Sequence, residues 1–215
     1  MKIVFIGLPG CGKTTQAKRL SKYLGISYIS MRQLVQESNL VKSDPWQPLS
    51  DNLAVQICGK AIADKSDFIL DGFPRNKEQL QELEIEDSVI IFLDISFEES
   101  ERRMLKRGDK KEAIATRSTL ERQRFPGLIK SIPRYKWDGG LAEIVIKING
   151  EKSLDAITSE ITNHPIIWFM GLSEEVQNKL LYFYDPYDGC FGSIFNLNNP
   201  EYAVNKLREE LRNEI

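Results

Sequence analysis

Histidine and cysteine are scarce in this chain, and neither sign of charge prevails. The single histidine, His164, stands beside Pro165 at the start of a compositionally distinct segment, so no catalytic role is expected for it. The cysteines, Cys11, Cys58 and Cys190, are odd in number and widely spaced. No C-x-x-C pair occurs, so neither a disulfide framework nor a zinc site is indicated. Lysine and arginine total 29 against 31 aspartates and glutamates, a net charge of −2. That balance argues against a general nucleic-acid or membrane-surface binder. No apolar run is long enough to span a bilayer, and no basic region precedes a cleavable apolar stretch. A cytoplasmic protein is therefore expected. Low-complexity tracts and internal repeats are also missing.

What is present is an alternation of short apolar runs with helix-forming segments, in a chain of 215 residues with an ordinary 41% hydrophobic content. Strands are expected at Ile3–Ile6, Ser27–Ser30, Asp67–Asp71, Ser88–Ile95 and Ala142–Ile148. Helices are expected near Thr14–Leu24, Arg32–Ser38, Asp51–Asp64, Asn76–Leu83, Phe97–Arg107, Glu112–Phe125 and Ser153–Thr162. Nearly continuous Val/Ile/Leu/Phe strands separated by helices indicate an α/β fold, a central parallel sheet with helices on both faces. From His164 the character changes to an apolar run, Pro165–Met170, then an aromatic, turn-rich stretch, then a charged helix over Glu201–Ile215. Residues 1–163 are read as the main domain and 164–215 as a C-terminal extension. The aromatics of that extension, including Tyr182 and Tyr187, read as core or as a surface for a second copy or a protein partner.

Gly7-Leu8-Pro9-Gly10-Cys11-Gly12-Lys13-Thr14 spells G-x-x-x-x-G-K-[ST] directly after the first strand and before the first helix. That context is what a phosphate-binding loop requires. Its glycines let the backbone wrap an anion with N–H groups, and the helix adds its positive end. Lys13 is placed to reach the β- and γ-phosphates, Thr14 to ligate Mg²⁺, and Pro9, Cys11 and Thr15 to line the nucleotide side. Cys11 is read as a packing residue rather than a nucleophile. Asp71-Gly72-Phe73-Pro74-Arg75 follows a buried strand. Asp71 lies at that strand's carboxyl end, where open α/β sheets bind ligands, and is suited to holding Mg²⁺ through water. Gly72 shapes the turn, and Arg75 leaves it aimed at an anionic acceptor.

On these motifs the chain resembles the adenylate kinase family of nucleoside monophosphate kinases, over roughly residues 1–162. The resemblance implies a P-loop kinase fold, ATP and Mg²⁺, and small-molecule nucleotide substrates. It implies that Gln79 reads the acceptor base and that Pro48-Leu49-Ser50-Asp51 opens the acceptor-binding helix, within an acceptor segment of about residues 30–60 that includes Ser30. It further implies that Arg103 packs on the donor adenine, that Arg107 and Arg117 clamp phosphate, and that the loop near Lys152 borders the adenine. Each arginine alone reads as an ordinary surface residue; Lys13 and Asp71 make the set coherent. AMP is the first candidate acceptor. A P-loop kinase with another small acceptor, or a nucleotide-binding regulatory module with weak ATPase activity, are the competing readings.

Two departures from the family pattern matter. Met31 replaces a small residue, and Gln36 replaces the arginine that grips the acceptor phosphate, which leaves Arg32 to substitute from another direction. Between Arg107 and Glu112 stand only Gly108-Asp109-Lys110-Lys111, so the lid, about residues 107–117, is short; Lys110 or Lys111 either covers a missing arginine's charge or forms a solvated turn. Arg32→Ala is expected to raise the acceptor KM, and an unchanged KM would exclude the substitution. The short lid is expected to exclude water less well, giving slow phosphate release from ATP without acceptor. A phosphate-release assay without any acceptor reads this directly.

Overall fold

A computed structural model of the chain describes residues 1–38, 49–82, 88–132 and 144–172. The acceptor segment's residues 39–48, Pro48 among them, the strand residues 142 and 143, and the extension from residue 173 onward lie outside the described residues. The chain divides into two units, Met1–Ile157 and Thr158–Ile215.

The first unit is built on five parallel strands: β1 (Lys2–Gly7), β2 (Ser27–Ser30), β3 (Phe68–Asp71), β4 (Ser88–Asp94) and β5 (Ile144–Asn149). They lie side by side in the order β2-β3-β1-β4-β5. Ile3, Val4, Phe5 and Ile6 of β1 are all buried, as are Phe68–Leu70 of β3 and Val89–Leu93 of β4. Successive strand residues point to opposite faces, so burial of every one means that both faces are covered. This agrees with the expected α/β architecture. The chain steps from β1 in one direction to β2, then crosses back past β1 to β4. Right-handed crossovers in opposite directions place helices on opposite faces.

Register assembles the site. Lys2 pairs with Phe68 and Phe5 with Asp71, while Ser30 pairs with Asp71 from the other side. Gly7 pairs with Leu93, and Asp94 with Asn149. Gly7, Ser30 and Asp71 therefore emerge together at the carboxyl edge of the sheet.

The helices largely follow the expected pattern: α1 (Lys13–Leu24), α2 (Met31–Glu37), α3 (Asp51–Ile62), α4 (Lys77–Glu82), α5 (Phe97–Lys106), α6 (Lys111–Ser131) and α7 (Leu154–Asn163). Helix α1 buries Gln16, Ala17 and Leu20 and ends at Gly25 in the left-handed region, φ 69°. Helix α5 starts at Ser96, whose hydroxyl accepts from the Glu99 N–H at 3.2 Å, with Glu98 and Glu99 in its first turn. The main difference is α6. A proline at 126 reads as a helix end, yet α6 runs on to Ser131. Phe125 and Leu128, on either side of the proline, are both buried, and tertiary packing outweighs the lost N–H bond. The boundary between the two units falls within α7. In the second unit the described residues include α8 (Pro165–Met170), so the apolar run there forms a short helix. Its Ile166 and Ile167 are buried.

Ile90 on β4 has no solvent exposure. Ile90→Ala is expected to cost about 2–5 kcal/mol of unfolding free energy; a shift of the urea midpoint at constant m-value measures it.

Candidate active site

The loop after β1 has little room for side chains. A Cβ on Gly7 (φ 150°) would stand 2.5 Å from the Leu93 carbonyl oxygen and 2.8 Å from Cys11 Sγ. At Gly10 (φ 79°) it would stand 3.1 Å from the Arg103 Cβ. Helix α5 thus packs directly on the loop, and Ser100 Oγ donates to the Pro9 carbonyl at 2.7 Å. Gly12, φ 97°, forms the cap of α1, which leaves the first-turn N–H groups of that helix facing the cleft. Lys13 Nζ donates to the Gly7 carbonyl and, at 2.9 Å, to the Leu8 carbonyl. Its ammonium is held over the loop rather than extended into solvent.

Beside it, Asp71 Oδ2 accepts from Thr14 Oγ1 at 2.7 Å and from the Tyr28 hydroxyl at 2.9 Å. Burial first, and then the Asp71 charge, push the Tyr28 phenol up to about 12, so it remains a donor across the neutral range. A hydroxyl and a carboxylate brought within one hydrogen bond of each other, above a glycine cradle, suit a hard cation that keeps some of its water and takes further ligands from phosphate oxygens. Among the described residues no cluster of three or more His, Cys, Asp or Glu side chains exists to hold a metal by protein ligands alone. Thr14 and Asp71 would hold Mg²⁺ only together with a nucleotide.

These elements open into a cavity of about 520 Å³. The phosphate loop forms its floor, including Gly7, Pro9, Gly10, Gly12, Lys13, Thr14 and Thr15. Ser30, Arg32, Asp71, Gly72, Arg75, Arg103, Arg107 and Arg117 line its walls. Arg75 Nε donates to the Gly72 carbonyl at 3.0 Å, which turns the guanidinium back over the loop. Arg75 is open to solvent through the mouth of the cavity, yet protein surrounds it on its other sides. That crowding lowers its pKa from the ordinary arginine value, with Glu121 the strongest charge opposing the shift. An arginine so placed remains charged. Arg103 is tied by Nε to Glu99 and reaches the Gly10 carbonyl at 3.4 Å, so its guanidinium lies against the loop.

Not every expected site residue faces the cavity. Cys11 is buried beneath the loop, with its Sγ 3.5 Å from Lys13 Nζ, as a packing role requires. Leu49 and Lys152 do not line the cavity, and neither does Gln36, Lys110 or Lys111. Gln79 is buried and acts as a brace: Oε1 accepts from the Arg75 backbone N–H at 2.7 Å, and Nε2 donates to Asp51 Oδ1 at 2.8 Å. Asn76 Nδ2 reaches the same Asp51 oxygen, also at 2.8 Å. The three side chains fix the turn that carries Arg75.

A family model described as an AAA domain matches residues 6–121, more than half of the chain. UMP-CMP kinase 1 of Oryza sativa subsp. japonica is 31% identical over 225 residues, covering 89% of each chain. Adenylate kinase of Prochlorococcus marinus (strain AS9601) is 32% identical over 180 residues, covering 74% of this chain and 95% of the relative. Adenylate kinase isoenzyme 1 of Homo sapiens is 26% identical, covering 76% and 93%. The chain belongs to the adenylate and nucleoside monophosphate kinase family.

Within this kinase, several side chains at the site went unread in the sequence. Tyr28 sits two residues before the end of β2, beside Asp71. Leu154, at the start of α7, lines the cavity near Gly12. Asp109, in the short lid, binds Arg107 through Nε at 2.9 Å and through Nη2, and accepts from Arg117 Nη1 at 3.1 Å. The Arg107 bonds first, then the neighbouring charges, hold its carboxyl below the usual range. In that turn two arginines thus share one carboxylate. Glu121, four residues after Arg117 on α6, also lines the cavity. The i, i+4 spacing from Arg117 was the available signal.

Tyr28→Phe is expected to leave Asp71 with one donor fewer and to cost about 1 kcal/mol of stability. Because the phenol keeps its proton, the difference between wild type and variant stays constant between about pH 6 and pH 9 in denaturant melts.

Proposed function

We propose that the protein transfers the γ-phosphoryl group of ATP to the phosphate of AMP, giving two molecules of ADP. One observation carries the proposal. A single cavity is lined jointly by the phosphate loop and by arginines from four other parts of the chain: Arg32, Arg75, Arg103 with Arg107, and Arg117. A nucleotide-binding module would need the loop; it would have no use for Arg32 and Arg75 across the cavity from it.

In this reading Lys13 and the loop N–H groups orient the β- and γ-phosphates, and Arg103 covers the adenine. Arg75 and Arg32 hold the acceptor phosphate in line with the migrating group. Arg107 and Arg117 exchange Asp109 for phosphate oxygens and take up the charge that builds in the transition state. The attacking phosphate oxygen is already anionic, so no side chain has to remove a proton. Mg²⁺, bound through Thr14 and Asp71, supplies charge neutralisation on the β- and γ-oxygens. Arg32 at the cavity wall, with Gln36 outside it, supports Arg32 as the acceptor-side cation. Gln79 supports acceptor binding through the Arg75 turn.

A second acceptor class has its own support, since the rice relative carries the name UMP-CMP kinase and matches the greater part of the chain. A coupled assay with ATP and AMP, UMP, CMP and GMP in turn is expected to give the highest kcat/KM with AMP. Preference for UMP or CMP would transfer the proposal to that class, and binding of ATP without turnover on any of them would favour the regulatory module. Arg117→Ala is expected to lower kcat by on the order of 10³ or more.

A further inference from the structure

Glu121 is a carboxylate in a cavity built for phosphate. It projects from α6 into the space that Lys13, Arg75 and Arg117 also line. It is half-buried, and among the described residues it makes no hydrogen bond and no ion pair within 4 Å. Asp109 presents a contrast, closed onto Arg107 and Arg117. Glu121 interacts with the site through its field. The cations that act on it are Arg75 after β3, Lys13 at the start of α1, and Arg124 and Arg117 of its own helix. Arg32 and Asp71 face the same space. Burial raises the Glu121 pKa, and the four cations only partly offset that rise.

A carboxylate here repels the phosphates that the arginines attract. We propose that Glu121 is a resident anion of the site, competing with nucleotide phosphates for Arg75, Arg117 and Lys13 and so limiting how tightly nucleotide is held. It acts through those cations as a positioning residue and touches no reacting atom. The role rests on the reading of the cavity as a phosphate site. Its physical logic is that each cation left free to turn to phosphate tightens the hold on polyphosphate product and slows its release. The sign with pH follows. Below its raised pKa, Glu121 is neutral and the competition disappears; as pH rises through that value, the carboxylate forms and nucleotide affinity falls.

The test measures MgATP dissociation constants for wild type, Glu121→Gln and Glu121→Asp from about pH 5.5 to 8.5. Taking the ratio of wild type to variant cancels the ionisation of the ligand itself. Glu121→Gln is expected to bind roughly tenfold more tightly at the alkaline end, a change equivalent to one pKa unit, with the advantage narrowing as pH falls. Glu121→Asp is expected to keep the wild-type profile, and the KM of Glu121→Gln to fall without a rise in kcat. A ratio of one or below at every pH, with wild type binding and turning over ATP, overturns the role of Glu121 alone. Failure of wild type to bind MgATP at any pH overturns the phosphate site and Glu121 with it. Should Glu121→Gln not fold, the ¹³C-carboxyl titration of Glu121 in wild type decides. Saturating MgATP is expected to raise its pKa, because the phosphates then occupy the cations that held it down, and an unmoved value overturns the proposal.

Discussion

Repulsion among like charges is the constraint on which this structure turns. Lys13, Arg32, Arg75, Arg103, Arg107 and Arg117 converge on one cavity. Two unit charges 4 Å apart repel by about 4 kcal/mol at the effective dielectric of a protein surface. The fold answers that repulsion locally. Lys13 rests on loop carbonyls, Arg75 on the Gly72 carbonyl, Arg103 on Glu99, and Arg107 with Arg117 on Asp109. Each partner can be exchanged for a phosphate oxygen, so the arrangement that stabilises the protein alone is also the one that a nucleotide replaces.

The parallel sheet makes this convergence possible. All five strands end on the same edge, and the register puts Phe5, Ser30 and Asp71 level with one another, with Gly7 two residues beyond. Residues separated by dozens of positions in sequence thereby become neighbours without any long loop. The braces lie one layer back. Asp51 at the start of α3 holds Asn76 and Gln79, and Gln79 holds the backbone of Arg75.

Much of this is legible in the sequence. The strands and helices follow from apolar runs and their punctuation, and β2 has its expected bounds, Ser27–Ser30. The phosphate loop and the Asp71–Arg75 turn were legible because glycine, lysine and carboxylate at fixed offsets admit few other uses. Less visible was anything set by tertiary choice. Pro126 marks a helix end by local chemistry, and only the burial of Phe125 and Leu128 overrides it. The bonds of the Gln79 amide to the Arg75 backbone and to Asp51 are likewise set by tertiary packing and leave no local signal. The partners of Asp109 are not legible locally because its two arginines come from either side of the turn. Glu121 carries no local signal either, since only the packing of α6 brings it to the cavity.

The contact between α5 and the phosphate loop has a mechanical consequence. A methyl group on Gly10 would stand 3.1 Å from the Arg103 Cβ, closer than side chains ordinarily pack, and Ser100 is bonded to Pro9. The loop and the helix are therefore braced against each other at two points. Gly108, at φ 87°, donates its N–H to the Leu105 carbonyl at 2.9 Å, and the Asp109 N–H reaches the Met104 carbonyl at 3.1 Å, so the turn is tied back to the end of α5. That wall of the cavity is stiffer than the Arg107–Asp109–Arg117 cluster beside it, whose bonds run between side chains alone.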